Sequence, residues 1–296
     1  MVVTKKGIVL AGGQGSRLYP MTLNVSKQLL PIYDKPMIYY PLATLMQAGI
    51  QHILIICTAR DLPLFQTLLG RGQQWGIHLE YAIQEQANGI AESLLIAEDF
   101  LAGHGCALVL GDNLFYGENL AQIWLDAASQ HVGAHVFAYH VANPQDYGVV
   151  SLNQQGVVIS IQEKPKAPKS QYAMPGLYFF DSQAVEYAKG IQPSSRGELE
   201  IVDVITQYMN TNQLTVSTLG RGVAWLDTGT PDALSEATQF VAAIEKRQGL
   251  KINCPEEVAF RQGWIDGSQL MKLAKPLLNS GYGEYLESLV RKQRRL

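Results

Sequence analysis

The chain has 296 residues, 47% of them hydrophobic and 17% charged, a balance that fits a protein with a large core and excludes a disordered one. Its net charge of -3 provides no basic field to hold a polyanion, so nucleic-acid binding is disfavoured and a nucleotide would need a local site. No run approaches the roughly 20 apolar residues of a membrane span, no signal peptide is expected, and three cysteines without close spacing (Cys57, Cys106, Cys254) argue against disulfides and zinc and point to the cytoplasm.

Residues 7–11 form a short apolar run that stops at Gly12-Gly13, as a buried strand entering a loop would. Residues 37–49 have helical spacing and end at a glycine. Strands are expected at 52–57, 78–83 and 106–110, and helices at 61–69 and 89–101. The alternation predicts an α/β fold, Rossmann-like, with a mainly parallel or mixed sheet and helices on both faces. Strand-like stretches then follow at 136–141, 148–152, 157–162 and 176–180, separated by turn-forming residues. Helices at 183–188 and 201–209 and strands at 214–219 and 223–226 come next. From Pro231 the chain reads as helix, at 231–245, 254–262, 266–275 and 284–292. The basic end, Arg291-Lys292-Gln293-Arg294-Arg295, reads as a solvated helix terminus rather than a binding tail.

The first strand delivers Leu10-Ala-Gly12-Gly13-Gln-Gly-Ser16-Arg17-Leu-Tyr-Pro. Glycines let backbone N–H groups approach phosphate oxygens, Ser16 adds a donor, and Arg17 can fork onto phosphates. Two rival motifs fail. A Walker loop needs Gly-Lys-Ser/Thr, which is absent, and a dinucleotide fingerprint needs a third glycine where Leu18 stands. Lys27 follows ten residues after Arg17, so one loop could bring two cations to one triphosphate; a lone solvated lysine is the bland alternative. Asp112 and Asp227 each end an apolar run, where a carboxylate can serve as a cation ligand or as an ordinary turn residue.

The string Gly12-Gly-x-Gly-Ser-Arg-Leu-x-Pro-x-Thr22, followed by Ser26-Lys-Gln-Leu-Leu-Pro-Ile-Tyr-Asp-Lys-Pro-Met-Ile38, resembles the signature of the sugar nucleotidylyltransferases, in particular the branch that makes dTDP-glucose. The resemblance covers essentially the whole chain. It continues through Gly111-Asp-Asn113, Tyr147-Gly148, Glu163-Lys-Pro165, Pro175-Gly-Leu-Tyr178, Arg196-Gly-Glu-Leu-Glu-Ile201 and Trp225-Leu-Asp-Thr-Gly-Thr230. It implies a nucleotide-diphospho-sugar transferase fold: a core at 1–230, with about 1–130 binding nucleotide and 131–230 binding sugar phosphate, and a C-terminal helical segment at 231–296.

The resemblance also implies the chemistry. Thymidylyl transfer from dTTP to glucose 1-phosphate would release pyrophosphate with Mg²⁺ held by Asp112 and Asp227. Arg17, Lys27 and Lys164 would be the catalytic cations. Leu10, Gly12, Gly13, Ser16, Arg17, Gln28, Gln84, Gly89 and Asp112 would contact the nucleotide. Asn113, Tyr147, Gly148, Glu163, Lys164, Tyr178 and Arg196 would contact the sugar phosphate. Tyr178 reads equally as a core aromatic, and Arg196 as a surface partner of Glu198 and Glu200. Gln84 and Gly89 would read the base, but here the sequence departs from the family: Ala87 replaces a usual proline and Glu92 a usual glutamine. The resemblance further implies a homotetramer and a second, regulatory nucleotide site. A uridylyl or other nucleotidylyl transferase, or a non-catalytic regulator on the same fold, is the alternative.

Overall fold

The apolar runs become strands where both faces of a sheet can cover them. The computed structural model describes residues 5–293, so Arg294 and Arg295 lie outside the described residues. In chain order the elements begin with β1 (Lys6–Ala11), a two-stranded ribbon of β2 (Pro31–Ile32) and β3 (Lys35–Pro36), α1 (Tyr39–Gln47), β4 (His52–Cys57), α2 (Leu62–Leu69), β5 (His78–Ile83), α3 (Glu92–Ile96), α4 (Glu98–Leu101) and β6 (Cys106–Leu110). There follow β7 (Asn113–Tyr116), α5 (Leu120–Ala128), β8 (Ala134–His140), β9 (Gly148–Leu152), β10 (Val158–Glu163), β11 (Tyr172–Ala173), β12 (Leu177–Phe180), α6 (Ala184–Gly190), α7 (Ile201–Asn210), β13 (Leu214–Thr218) and β14 (Ala224–Asp227). Four helices close the chain: α8 (Pro231–Gln248), α9 (Pro255–Arg261), α10 (Gly267–Ala274) and α11 (Gly281–Gln293).

β5, β4, β1 and β6 lie side by side and parallel. β12 pairs antiparallel with β6 and with β8, and β13 runs parallel to β8. β11 links β8 to β9, which pairs with β10 at the far edge. The sheet is therefore mixed, with its parallel half at the N-terminus. Alternate residues of one strand feed two cores, as a period of two requires. Ile53, Ile55 and Cys57 of β4 face a cluster containing Leu42 of α1, Phe65 of α2, Trp124 of α5 and Leu286 of α11. Leu54 and Ile56 face Leu94 of α3, Leu101 of α4 and Ile205 of α7. Cys57, Cys106 and Cys254 are free and buried.

α9, α10 and α11 share the first core rather than forming one of their own. α8 covers the β2–β3 ribbon through Ile32, Ala237 and Val241. A buried ionic knot ties the same surfaces together. Lys35 Nζ donates to Asp34 Oδ1 at 2.8 Å and to Glu245 Oε1 at 3.0 Å, and Lys251 Nζ donates to Glu245 Oε2 at 2.8 Å. No helix among the described residues is long and apolar enough to cross a membrane.

The structure departs from the sequence reading at the helix over 89–101 and in adding β2, β3, β7, α5 and β11, which that reading did not contain. The helix expected over 89–101 splits into α3 and α4 and starts three residues late. Gly89 sits in a loop at φ 109°, so close to Leu199 that a Cβ there would lie 2.4 Å from the Leu199 carbonyl oxygen. β7 and α5 were not anticipated at all, and β7 proves central to the site.

Candidate active site

β7 and β14 form a separate antiparallel ribbon in which Asp227 lies opposite Asn113. This register brings Asp227 to Asp112, two residues past the C-terminal end of β6, where ligands of open α/β sheets bind. The Asp112 carbonyl accepts from Thr228 N at 3.1 Å and from Thr228 Oγ1 at 2.9 Å, which clamps the turn after β14 onto the turn after β6. Asn113 Nδ2 donates to Asp112 Oδ1 at 3.1 Å. Asn113 Oδ1 accepts from Gly176 N at 2.9 Å and Trp225 Nε1 at 2.6 Å.

Arg17, Asp112, Asn113, Tyr147, Gly148, Glu163, Lys164, Tyr178 and Asp227 all line one cavity of about 420 Å³. Gly148 keeps it open, because a Cβ there would lie 2.9 Å from Met174 Cε and 3.3 Å from Glu163 Oε2. Lys164 adopts φ 40°, a left-handed conformation unusual outside glycine, and its N–H donates to the Tyr147 carbonyl at 3.0 Å. Its ammonium lies 3.8 Å from Glu163 Oε1. The Arg17 guanidinium sits over Gly229, where a Cβ would fall 2.6 Å from its terminal nitrogen.

The two aspartates differ electrostatically. Burial works against the Asp112 carboxylate, but the ion pair with Lys27 Nζ and the Asn113 hydrogen bond hold its pKa below the usual value. Burial and the neighbouring Asp112 charge push Asp227 up to about 6, against the pull of Lys27, Arg17 and the Gly229 N–H. Glu163 is also raised by burial, with Glu200 and Glu198 adding to the effect and Lys164 and Arg196 opposing it.

The remaining sequence candidates lie outside this cavity. The Leu10 carbonyl accepts from Gly111 N at 2.9 Å. Gln28 is buried beneath Gly111, whose Cβ would lie 2.8 Å from Gln28 Cγ. Lys27 reaches the cavity only through Asp112. Gly12 lies under the Gln84 side chain, while nothing approaches a Cβ built on Gly13, and Ser16 is exposed beside Arg17. Gly89 is one loop away from Gln84. Arg196 spends its guanidinium on carboxylates, at 2.8 Å from Glu200, 3.2 Å from Glu198 and 3.3 Å from Glu163. Tyr178 is both a core residue on β12, 4% exposed, and a wall of the cavity.

Sequence reasoning left out Asp146, Trp225, Gly229 and Thr230, which also line the cavity. Trp225, Gly229 and Thr230 stand in a stretch quoted for the family resemblance, and that stretch was the available signal. Among the described residues no group of three or more His, Cys, Asp or Glu could hold a metal ion, so Asp112 and Asp227 are at most a two-carboxylate site.

The chain is similar to known nucleotidyl transferases over most of its length. The family model described as nucleotidyl transferase matches residues 6–244. A glucose-1-phosphate thymidylyltransferase of Xanthomonas campestris is 54% identical over 288 residues, covering 97% of this chain and 98% of that protein. One from Mycobacterium tuberculosis is 52% identical over 285 residues, covering 96% and 99%. A Bacillus anthracis structure described as a glucose-1-phosphate thymidylyltransferase with sucrose superposes with a TM-score of 0.74 at 38% identity, covering 80% of this chain and 94% of that one. A UDP-glucose pyrophosphorylase structure with UDP-glucose shares the fold, at a TM-score of 0.70 and 24% identity, over 82% and 99% of the two chains. The chain belongs to the nucleotidyl transferase family.

Proposed function

We propose that this nucleotidyl transferase moves a thymidylyl group from dTTP to glucose 1-phosphate, giving dTDP-glucose and pyrophosphate. One observation carries the reading. A single cavity is lined by two carboxylates, Asp112 and Asp227, by Arg17, by the Lys164–Glu163 pair and by neutral polar groups such as Asn113 and Tyr147. The names of the similar proteins support this nucleotide and this sugar.

The donors fit a divalent cation. Asp112 and Asp227 offer hard carboxylate oxygens; burial and, after it, the charge of Asp112 drive Asp227 toward its protonated form, and a cation would relieve the repulsive part. Mg²⁺ takes one or two carboxylates plus phosphate oxygens, and when bound it would offset charge on those phosphates.

A sugar phosphate is already ionised at neutral pH, so the chain need supply no general base. The obstacle is the approach of one anion to another. Lys164 would hold the sugar phosphate, with Glu163, Asn113 and the Gly148 backbone on the sugar hydroxyls. Tyr147 and Tyr178 would complete the walls. Arg17 would meet the charge that builds on the departing pyrophosphate, and Lys27 would stabilise the triphosphate. Catalysis is then positioning and electrostatics. Arg196 would act from outside the cavity, through Glu163. The nucleotide would lie over Leu10, Gly12, Gly13 and Ser16, near Gln28, with Gln84 and the Gly89 backbone at the base.

Within this reading, residues 1–230 form the catalytic core and 231–296 its helical cover. A homotetramer, a cytoplasmic location and supply of dTDP-deoxysugar synthesis go with it. Pyrophosphate release with a panel of nucleotides and sugar 1-phosphates tests the proposal. dTTP with glucose 1-phosphate should be the best pair and UTP the next nucleotide. A higher rate with CTP or ATP, or no release with any pair, would overturn it.

A further inference from the structure

We infer that Glu92 sets which pyrimidines the site accepts: its carboxylate locks the Gln84 amide in the orientation that reads an N3–H edge. The inference rests on the reading of Gln84 as the base contact. Gln84 follows β5 and is 3% exposed. Its Nε2 donates to Glu92 Oε2 at 2.7 Å, and Asn88 Nδ2 donates to Glu92 Oε1 at 2.8 Å. Both oxygens of one carboxylate are thus engaged by two amides.

A carboxylate accepts and does not donate, so each amide must turn its NH₂ group toward Glu92. That leaves Gln84 Oε1 on the opposite side, over Gly12, where a Cβ would lie 2.1 Å from it. A glutamine at position 92 would impose no such rule. A neutral amide offers both donor and acceptor, and Gln84 could face it either way round. The backbone that carries this pair is itself tied down. Gln84 N donates to the Cys57 carbonyl at 2.9 Å, Leu199 N to the Asn88 carbonyl at 2.6 Å, and Ala91 N to the Leu199 carbonyl at 3.1 Å.

Thymine and uracil present a donor at N3, whereas cytosine presents a bare acceptor there beside an amino group. With sugar and phosphates anchored, N3 of either base reaches the same place. A fixed Oε1 accepts from thymine or uracil, but against cytosine two acceptors meet. Turning the amide over to repair that contact would set Oε1 against the Glu92 carboxylate. Rejection of cytosine therefore resides in Glu92 acting through Gln84, while the choice between thymine and uracil resides elsewhere.

UTP and CTP differ only at the base edge in question, so their competition for limiting glucose 1-phosphate isolates the effect. Product ratios from one vessel report relative kcat/KM whatever the total activity. Wild-type protein should favour UTP about ten-fold or more, the discrimination expected of one unpaired buried polar group. Glu92→Gln should bring that ratio down about ten-fold, and Glu92→Asp, which still only accepts, should retain it. Gln84→Ala should abolish the preference. If Gln84→Ala abolishes it and Glu92→Gln leaves it intact, the lock is wrong and Gln84 remains the base contact. If Gln84→Ala leaves the preference intact, the base contact itself is wrong and the lock falls with it. Should Glu92→Gln fail to fold, the other arms still decide: wild-type protein that uses CTP as readily as UTP, or an Asp variant that loses the preference, overturns the inference.

Discussion

Asp227 stands opposite Asn113 in the β7–β14 ribbon, and this pairing sets its carboxyl against that of Asp112. If the two aspartates act through one divalent cation, either substitution to Asn should remove about 3 kcal/mol of transition-state stabilisation, or roughly a hundred-fold in turnover. Chelation of Mg²⁺ from wild-type protein should do the same, and circular dichroism should show the fold intact. Near-normal turnover of Asp227→Asn at saturating Mg²⁺ would exclude the shared site.

The Arg17 guanidinium lies over Gly229 with no room for a Cβ between them. Arg17→Ala should slow pyrophosphate formation by about 2.7–4 kcal/mol, as loss of one preorganised donor does. Gly229→Ala should push the guanidinium aside without breaking backbone contacts, and should slow the reaction by less than Arg17→Ala does. Pre-steady-state pyrophosphate release measures both. An unchanged rate in Arg17→Ala would remove the arginine from the leaving-group side.

In the parallel half β1, β4 and β6 were legible because their runs are apolar on both faces, whereas β5, with His78 and Glu80 exposed, buries mainly one. β4, β5 and β6 occupy the ranges that their apolar runs mark out, and β9 does so in the second half. The site was legible only as a set of candidates. Asp112 and Asp227 each read locally as turn residues, and only the long-range pairing of β7 with β14 makes them neighbours. β7 itself carries few apolar residues beyond Leu114 and Phe115 and follows directly on Gly111-Asp112, which reads as a turn. The helix break at Gly89 is set by its close approach to Leu199, more than a hundred residues away, which no local periodicity encodes. Glu92 was visible as a departure from the family pattern. Its grip on Gln84 and Asn88 was not, because side-chain hydrogen bonds leave no trace in spacing.

The knot of Lys35, Asp34, Glu245 and Lys251 fastens α8 to the β2–β3 ribbon. The side chains of Lys35 and Glu245 are 1% and 2% exposed. Removing one partner of a buried pair leaves an uncompensated charge and costs about 3–5 kcal/mol. Asp34 stays beside Lys35, so Glu245→Ala should fall near the low end, about 3 kcal/mol. Urea unfolding followed by fluorescence would measure it. A loss below about 1 kcal/mol would mean that the apolar contacts of α8, and not the charges, hold the C-terminal helices in place.

His135 should make stability depend on pH in the acid range. It lies on β8, 7% exposed, with Nε2 2.9 Å from Ser217 Oγ and with Nδ1 buried and unpartnered among the described residues. Burial brings its pKa down to about 4. The unfolded imidazole titrates near 6.5. Above that pH both states are neutral and His135 contributes no pH dependence. As the pH falls from about 6.5 toward 4, the unfolded chain takes up a proton that the folded chain refuses, so stability is progressively lost. By pH 5 the loss should reach roughly 2 kcal/mol, and below pH 4 it should level off, as the folded form also protonates. Other groups titrate over the same range, so the decisive quantity is a difference. In His135→Gln the imidazole is gone while a neutral polar group remains within reach of Ser217. Urea unfolding of both proteins from pH 7 to pH 5 should show wild type losing ground to the variant by about that amount. A gap that stays constant across the range would show that His135 titrates alike in the folded and unfolded chains.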